Sequence, residues 1–125
     1  MPDRNMRPTE AELEVLQILW EHGPSSVRFV NDKLSIEKNV GYTTTLKIMQ
    51  IMTDKGLTLR DTSNRSHIYR AAVEESLAKD NLLTRFLNAT FQGSASSLVI
   101  QLLDHQKTSN QEIEEIKKII KDYEK

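Results

Sequence analysis

Apolar residues recur every three to four positions through most of the chain, and every two positions in one short stretch near its middle. These two periods separate helices from strands. Leu13 to Trp20 reads as the first helix, opened by Thr9-Glu10-Ala11-Glu12, a hydroxyl and a carboxylate at capping-box spacing. On a helical wheel Glu10, Glu14, Gln17 and Glu21 form one narrow polar stripe, and Leu13, Val15, Leu16, Ile18, Leu19 and Trp20 fill the rest. A helix so largely apolar is expected to be covered on several sides. Gly23-Pro24 ends it. Ser25 or Ser26 is placed to cap a short second helix with Val27, Val30 and Leu34 as its buried edge. After the polar turn from Ser35 to Asn39, a third helix runs from Gly41 or Tyr42 to Lys55 and stops at Gly56, a suitable left-handed cap. Leu57 to Asp61 and His67 to Arg70 then alternate on either side of the turn-rich Thr62-Ser63-Asn64-Arg65-Ser66, which predicts a β-hairpin with a polar tip. Two strands alone are marginal in water, so the hairpin must lean on the helices.

Helical periodicity returns from Val73. Val73 to Thr90 carries Leu77, Leu82, Leu83, Phe86 and Leu87, and Gly93-Ser94 breaks it. Ser96 to His105 predicts the next helix, with Leu98, Val99, Ile100, Leu102 and Leu103. Ser109-Asn110-Gln111-Glu112 is a second capping box before a last helix, whose Ile113, Ile116, Ile119, Ile120 and Tyr123 occupy about a third of the wheel. Residues 1–8 read as a loose arm.

Three helices followed by a hairpin is the order of a winged helix-turn-helix. The expected fold is therefore mainly α with a small antiparallel β wing. A winged helix-turn-helix domain would occupy residues 1–72 and a C-terminal helical dimerisation domain residues 73–125. In such a head the first two helices form a platform, and the third is presented to the DNA major groove, whose width admits an α-helix. On the third helix Thr45, Ile48, Met49 and Met52 share one face, the expected core side. Thr43, Lys47, Gln50 and Asp54 share the other, flanked by Thr44 and Ile51. Hydroxyls reach phosphates or bases, glutamine pairs with adenine, and lysine reaches guanine or phosphate. Three successive threonines are poor helix formers, so something other than propensity favours them at this helix start, where free amides also attract phosphate. Arg60 and Arg65 on the hairpin, which also carries His67, and Arg28 near the start of the second helix are further candidate DNA contacts. The alternative for each is an ordinary solvated surface.

Charge sharpens this picture. The 125 residues carry a net charge of -1, yet eight Lys/Arg face four Asp/Glu between His22 and Arg70, against seven and nine from Val73 onward. A cationic middle and an acidic tail suggest two jobs. The absence of cysteine excludes disulfides, thiolate metal sites and thiol catalysis. His22, His67 and His105 lie far apart, with no i,i+4 pair to ligate a metal. There is no glycine-rich phosphate loop and no nucleophile beside a base, so neither an enzyme nor a cofactor is expected. No apolar run is long enough to span a bilayer and no signal-like segment opens the chain. The expected location is cytoplasmic, without membrane insertion.

Thr9 to Leu16 with Trp20, then Gly41-Tyr42-Thr43-Thr44-Thr45-Leu46, Lys55-Gly56-Leu57 and Tyr69 resemble the penicillinase-repressor family (BlaI/MecI/CopY) of bacterial transcription regulators. Ser97-Leu98-Val99 and Glu112-Ile113-Glu114-Glu115-Ile116 match its dimerisation region. The resemblance implies a homodimeric winged-helix repressor on a palindromic operator, controlling a resistance or stress-response gene. It places Thr43, Thr44, Leu46 and Lys47 where family members touch DNA. Ile51 stands where many members have arginine, and Lys47 where threonine is common. The resemblance also implies a membrane sensor-protease pathway that cuts an Asn-Phe bond. The matching candidate cleavage site here is Gln101–Leu102, which differs in both residues. The copper branch's cysteine motif is missing.

The candidate dimerisation residues are Leu98, Val99, Leu102, Leu103, Ile113, Ile116 and Ile120, more apolar surface than the preceding helix can cover. A two-fold pair would set two heads on the half-sites of a pseudo-palindrome. An intramolecular bundle is the alternative for this tail. For the head it is a winged-helix protein–protein interaction module without sequence-specific DNA binding, which the apolar flank of Leu46 and Ile51 would suit.

Overall fold

Thr9 opens the first helix as its spacing predicts. Its hydroxyl accepts the Glu12 amide at 3.2 Å, and the Glu12 carboxylate accepts the Thr9 amide at 3.0 Å. The computed structural model describes residues 7–104 and 108–124, so residues 1–6 of the expected arm lie outside the described residues, as does His105. The element order is α1 (Glu10–His22), β1 (Ser25–Ser26), α2 (Val27–Leu34), α3 (Tyr42–Lys55), β2 (Thr58–Asp61), β3 (Ile68–Ala71), α4 (Glu75–Phe91), α5 (Ala95–Asp104) and α6 (Asn110–Glu124). The chain forms two compact units, residues 1–79 and 80–125.

In the first unit, Val15, Leu16 and Leu19 of α1 meet Val27 and Val30 of α2, Met49 and Met52 of α3, and Leu57 and Tyr69, all buried. Each such side chain contributes roughly 1.5–3 kcal/mol of burial. Leu13, Ile18 and Trp20 are partly buried against this core, which is why so little of α1 is polar. The Trp20 indole N–H donates to the Val73 carbonyl at 3.1 Å, tying the chain that leaves the sheet back onto α1.

The sheet differs from the expected two-stranded hairpin. It has three antiparallel strands in the order β1-β3-β2. Ser25 pairs with Tyr69 and Ser26 with Ile68. Two serines carry no strand period, and only the approach of β3 supplies their ladder.

The inward register of β2 also departs from simple alternation. Leu57 is buried, but Leu59 is 46% exposed and Thr58 fully buried. Gly56, at φ +88°, closes α3 in the left-handed region, and the Leu57 amide donates to the Met52 carbonyl. Leu57 is thus spent on the helix cap, and the strand starts one residue later with Thr58 inward. Its hydroxyl shares a 2.9 Å hydrogen bond with that of Thr53, so the buried polar group is satisfied.

The second unit has no buried residue among those described in its helices. Gln92 at φ +53° and Gly93 at φ +83° make the turn after α4, and the Gly93 amide donates to the Leu87 carbonyl at 2.9 Å. Ser94 caps α5 by accepting the Ser97 amide at 3.1 Å. Ser109 caps α6 by accepting the Glu112 amide, also at 3.1 Å.

Candidate nucleic-acid interface

The turn before α3 is held by two side chains, Asn31 and Ser35. The Asn31 amide donates to the Val40 carbonyl at 2.9 Å and to the Thr45 hydroxyl at 2.8 Å. Ser35 adds a bond to the same carbonyl at 3.1 Å. Thr45 is fully buried and, with Met49 and Met52, fixes the rotation of α3 about its axis. That rotation turns Thr43, Thr44, Lys47 and Gln50 outward, and all four are exposed. Leu46 is half-buried and Ile51 is 41% exposed. Gly41, the N-cap of α3, provides no side-chain hydrogen bond, so the first amides of α3 keep their capacity for an external acceptor.

At the far end of α3 the Lys55 ammonium lies 2.6 Å from the Glu12 carboxylate and 3.2 Å from the Arg7 carbonyl. The pair sits in a largely buried position and joins the C-terminal turn of α3 to the first turn of α1. Lys55 is therefore structural, while Lys47 points outward with no protein partner among the described ion pairs.

Arg28, Leu46 and Arg65 come together. They line a concavity of about 350 Å³ with Ser26, Tyr42, Ser66 and His67, open between the start of α2, the start of α3 and the loop joining β2 to β3. The Arg28 guanidinium stands 5.3 Å from the centre of the Tyr42 ring, a cation–π contact that orients it. Arg60 is not part of this group. It lies on β2, in register with Tyr69, and is exposed. Tyr42, Ser26 and Ser66 are not among the DNA contacts expected from the sequence, because none shares a helical face or a strand with Arg28 or Arg65. At the loop's base the Asp61 carboxylate accepts the Ser63 amide at 2.9 Å, and this bond holds the acid below its ordinary range.

In the second unit Leu98, Ile113 and Ile116 are half-buried, while Val99, Leu102, Leu103 and Ile120 are 43%, 44%, 43% and 51% exposed. Ile119 and Tyr123, on the same stripe of α6, are 54% and 88% exposed. Gln101 and Leu102 are both exposed and lie inside α5. Among the described residues no helix is long and apolar enough to cross a membrane, and no cluster of three or more His, Asp or Glu is arranged to hold a metal ion.

A sequence profile described as "Penicillinase repressor" matches residues 8–122, nearly the whole chain. The chain belongs to the penicillinase repressor family. Among its relatives, the methicillin resistance regulatory protein MecI of Staphylococcus aureus (strain N315) is 27% identical over 120 residues, covering 96% of this chain and 98% of MecI. A penicillinase repressor of Bacillus licheniformis is 25% identical over 115 residues, covering 92% and 90%. A penicillinase repressor of Staphylococcus aureus is 25% identical over 125 residues, covering 100% and 99%. The resemblance read from Gly41-Tyr42-Thr43-Thr44 and its neighbours thus identified the family correctly. As a member of this family the chain is a transcriptional regulator and not an enzyme. The mainly helical architecture with a small antiparallel sheet agrees with that assignment.

Proposed function

We propose that the chain represses transcription by binding a pseudo-palindromic DNA operator as a homodimer, in control of a resistance or stress-response gene. The carrying observation is the outer face of α3. Thr43, Thr44, Lys47 and Gln50 are all exposed there while Thr45, Met49 and Met52 are locked into the core. A helix so anchored presents hydroxyl, amide and ammonium groups to a groove without losing side-chain packing. Arg28, Arg60 and Arg65 supply cations for flanking phosphates. The apolar stripe of α5 and α6 is assigned to the partner protomer, because the described chain leaves it largely uncovered.

Two heads double the phosphate contacts, which offsets the small charge of each. Derepression through a membrane sensor-protease would act at Gln101–Leu102. Nicking favours exposed loops, so cutting there requires that turn of α5 to open.

The test is selection of duplexes from a random-sequence pool, followed by gel-shift titration of variants. Lys47→Ala and Thr44→Ala are expected to weaken binding about tenfold or more, and Lys117→Ala, on α6, to leave it unchanged. Equal losses from all three would remove α3 as the reading element. Failure to enrich any duplex would favour a protein partner for the head, met through Leu46 and Ile51.

A further inference from the structure

The concavity beside α3 contains a group that the DNA-binding reading leaves unused, His67. Each surrounding element brings either a cation or a neutral hydrogen-bonding group to it. α2 contributes Arg28, the loop after β2 contributes Arg65 and Ser66, α3 contributes Tyr42, and β1 and β3 contribute Ser26 and Tyr69. No carboxylate lines it. An imidazole is the side chain that changes charge between pH 5 and 8. A phosphate diester placed among Arg28, Arg65 and His67 favours the imidazolium, because it then meets a third positive charge and a third donor.

We propose that this notch seats one backbone phosphate of the duplex flanking each half-site, and that His67 takes up a proton as the phosphate enters. Operator affinity is thereby coupled to pH. The proposal rests on the head being a DNA binder. Linkage fixes the sign: a group that binds a proton on complex formation makes the complex stronger as pH falls through its titration range. The extra phosphate contact also steepens the salt dependence, by about 0.9 in slope for each head and about two for the dimer. The notch is shaped for this role. Arg28 is held over Tyr42, 5.3 Å from the ring centre, so its guanidinium is already oriented before DNA arrives.

The experiment measures affinity of the full-length protein for a duplex enriched from a random-sequence pool, at pH 6 and pH 8 over a salt series, for the wild type and His67→Gln. Wild-type affinity is expected to rise about tenfold from pH 8 to pH 6 with the steeper salt slope at pH 6. His67→Gln is expected to give the pH 8 behaviour at both. His67 is exposed, so the substitution spares the core. Calorimetry in buffers of different ionisation enthalpy gives a second reading on the unaltered protein, expected to report up to one proton taken up per head. Equal pH dependence in wild type and His67→Gln, or no proton uptake, overturns the notch proposal while leaving DNA binding intact. Enrichment of no duplex at either pH overturns the underlying DNA-binding reading instead.

Discussion

Asn31 donates its side-chain amide to the buried hydroxyl of Thr45, 2.8 Å away, and so links α2 to the first turn of α3. The same amide holds the Val40 carbonyl. Asn31 therefore ties the turn to the helix that faces outward at Thr43, Thr44 and Lys47. Asn31→Ala is expected to remove the donor to the buried Thr45 hydroxyl, while the Val40 carbonyl keeps the Ser35 hydroxyl, at a cost of about 2 kcal/mol. In a head of this size the melting temperature should fall by roughly 10 °C. A melt indistinguishable from wild type would mean that water replaces the amide at no cost.

The ion pair of Lys55 and Glu12 yields a second prediction. Glu12 is only 5% exposed and is held by the Thr9 amide as well as by Lys55. Removing the cation leaves a buried carboxylate with one partner. Lys55→Met should destabilise the head by on the order of 2 kcal/mol, and Lys55→Met with Glu12→Gln should recover part of it, because the amide still caps α1 without carrying a charge. Urea titration of the two variants checks this. A double variant less stable than the single one would contradict the assignment.

The tail predicts an association phenotype separable from folding. Ile120 is 51% exposed in the single chain, so Ile120→Asp should alter chain folding by less than its effect on dimerisation. Sedimentation at micromolar concentration should shift from dimer to monomer, corresponding to a loss of about a hundredfold in association. Helical circular dichroism should persist. Unchanged sedimentation would move the interface away from this stripe.

Asp61 predicts an acid response confined to the wing. The Ser63 backbone amide, then the Ser63 hydroxyl and the charge of Arg70, favour its carboxylate, so its folded-state pKa lies below the ordinary 3.8. A depressed carboxylate contributes its stabilisation above the unfolded value and loses it as pH falls through the folded one. The Ser63 amide resonance should therefore titrate with a midpoint below 3.8. In Asp61→Asn it should stay flat. A midpoint at or above the ordinary value would show that this turn is not formed in solution.

Much of the head was legible because its signals are local. Thr9 and Glu12, three residues apart, cap α1 by themselves. Gly56 ends α3 because a left-handed backbone position admits it at no steric cost. Thr45, Met49 and Met52 declare the inner face of α3 through helical spacing alone. Where the reading stopped, the cause was non-local. Ser25 and Ser26 become a strand only because Tyr69 and Ile68 pass beside them. Thr58 rather than Leu59 turns inward because the cap at Gly56 consumes Leu57 and shifts the strand by one residue.

The same division runs through the candidate site. Periodicity, capping chemistry and the Gly41-Tyr42-Thr43-Thr44 run were enough to set the helices, the two hairpin strands, the outward face of α3 and the family. Such properties depend on residues a few positions apart, whose geometry the backbone itself dictates. The meeting of Arg28, Tyr42, Arg65 and His67 around one concavity, and the burial of Glu12 against Lys55, depended on folding. Arg28, Tyr42 and the loop that carries Arg65 and His67 lie on different elements, as do Glu12 and Lys55, so their contact exists only once the core of α1, α2, α3 and the sheet has closed and fixed where each element ends.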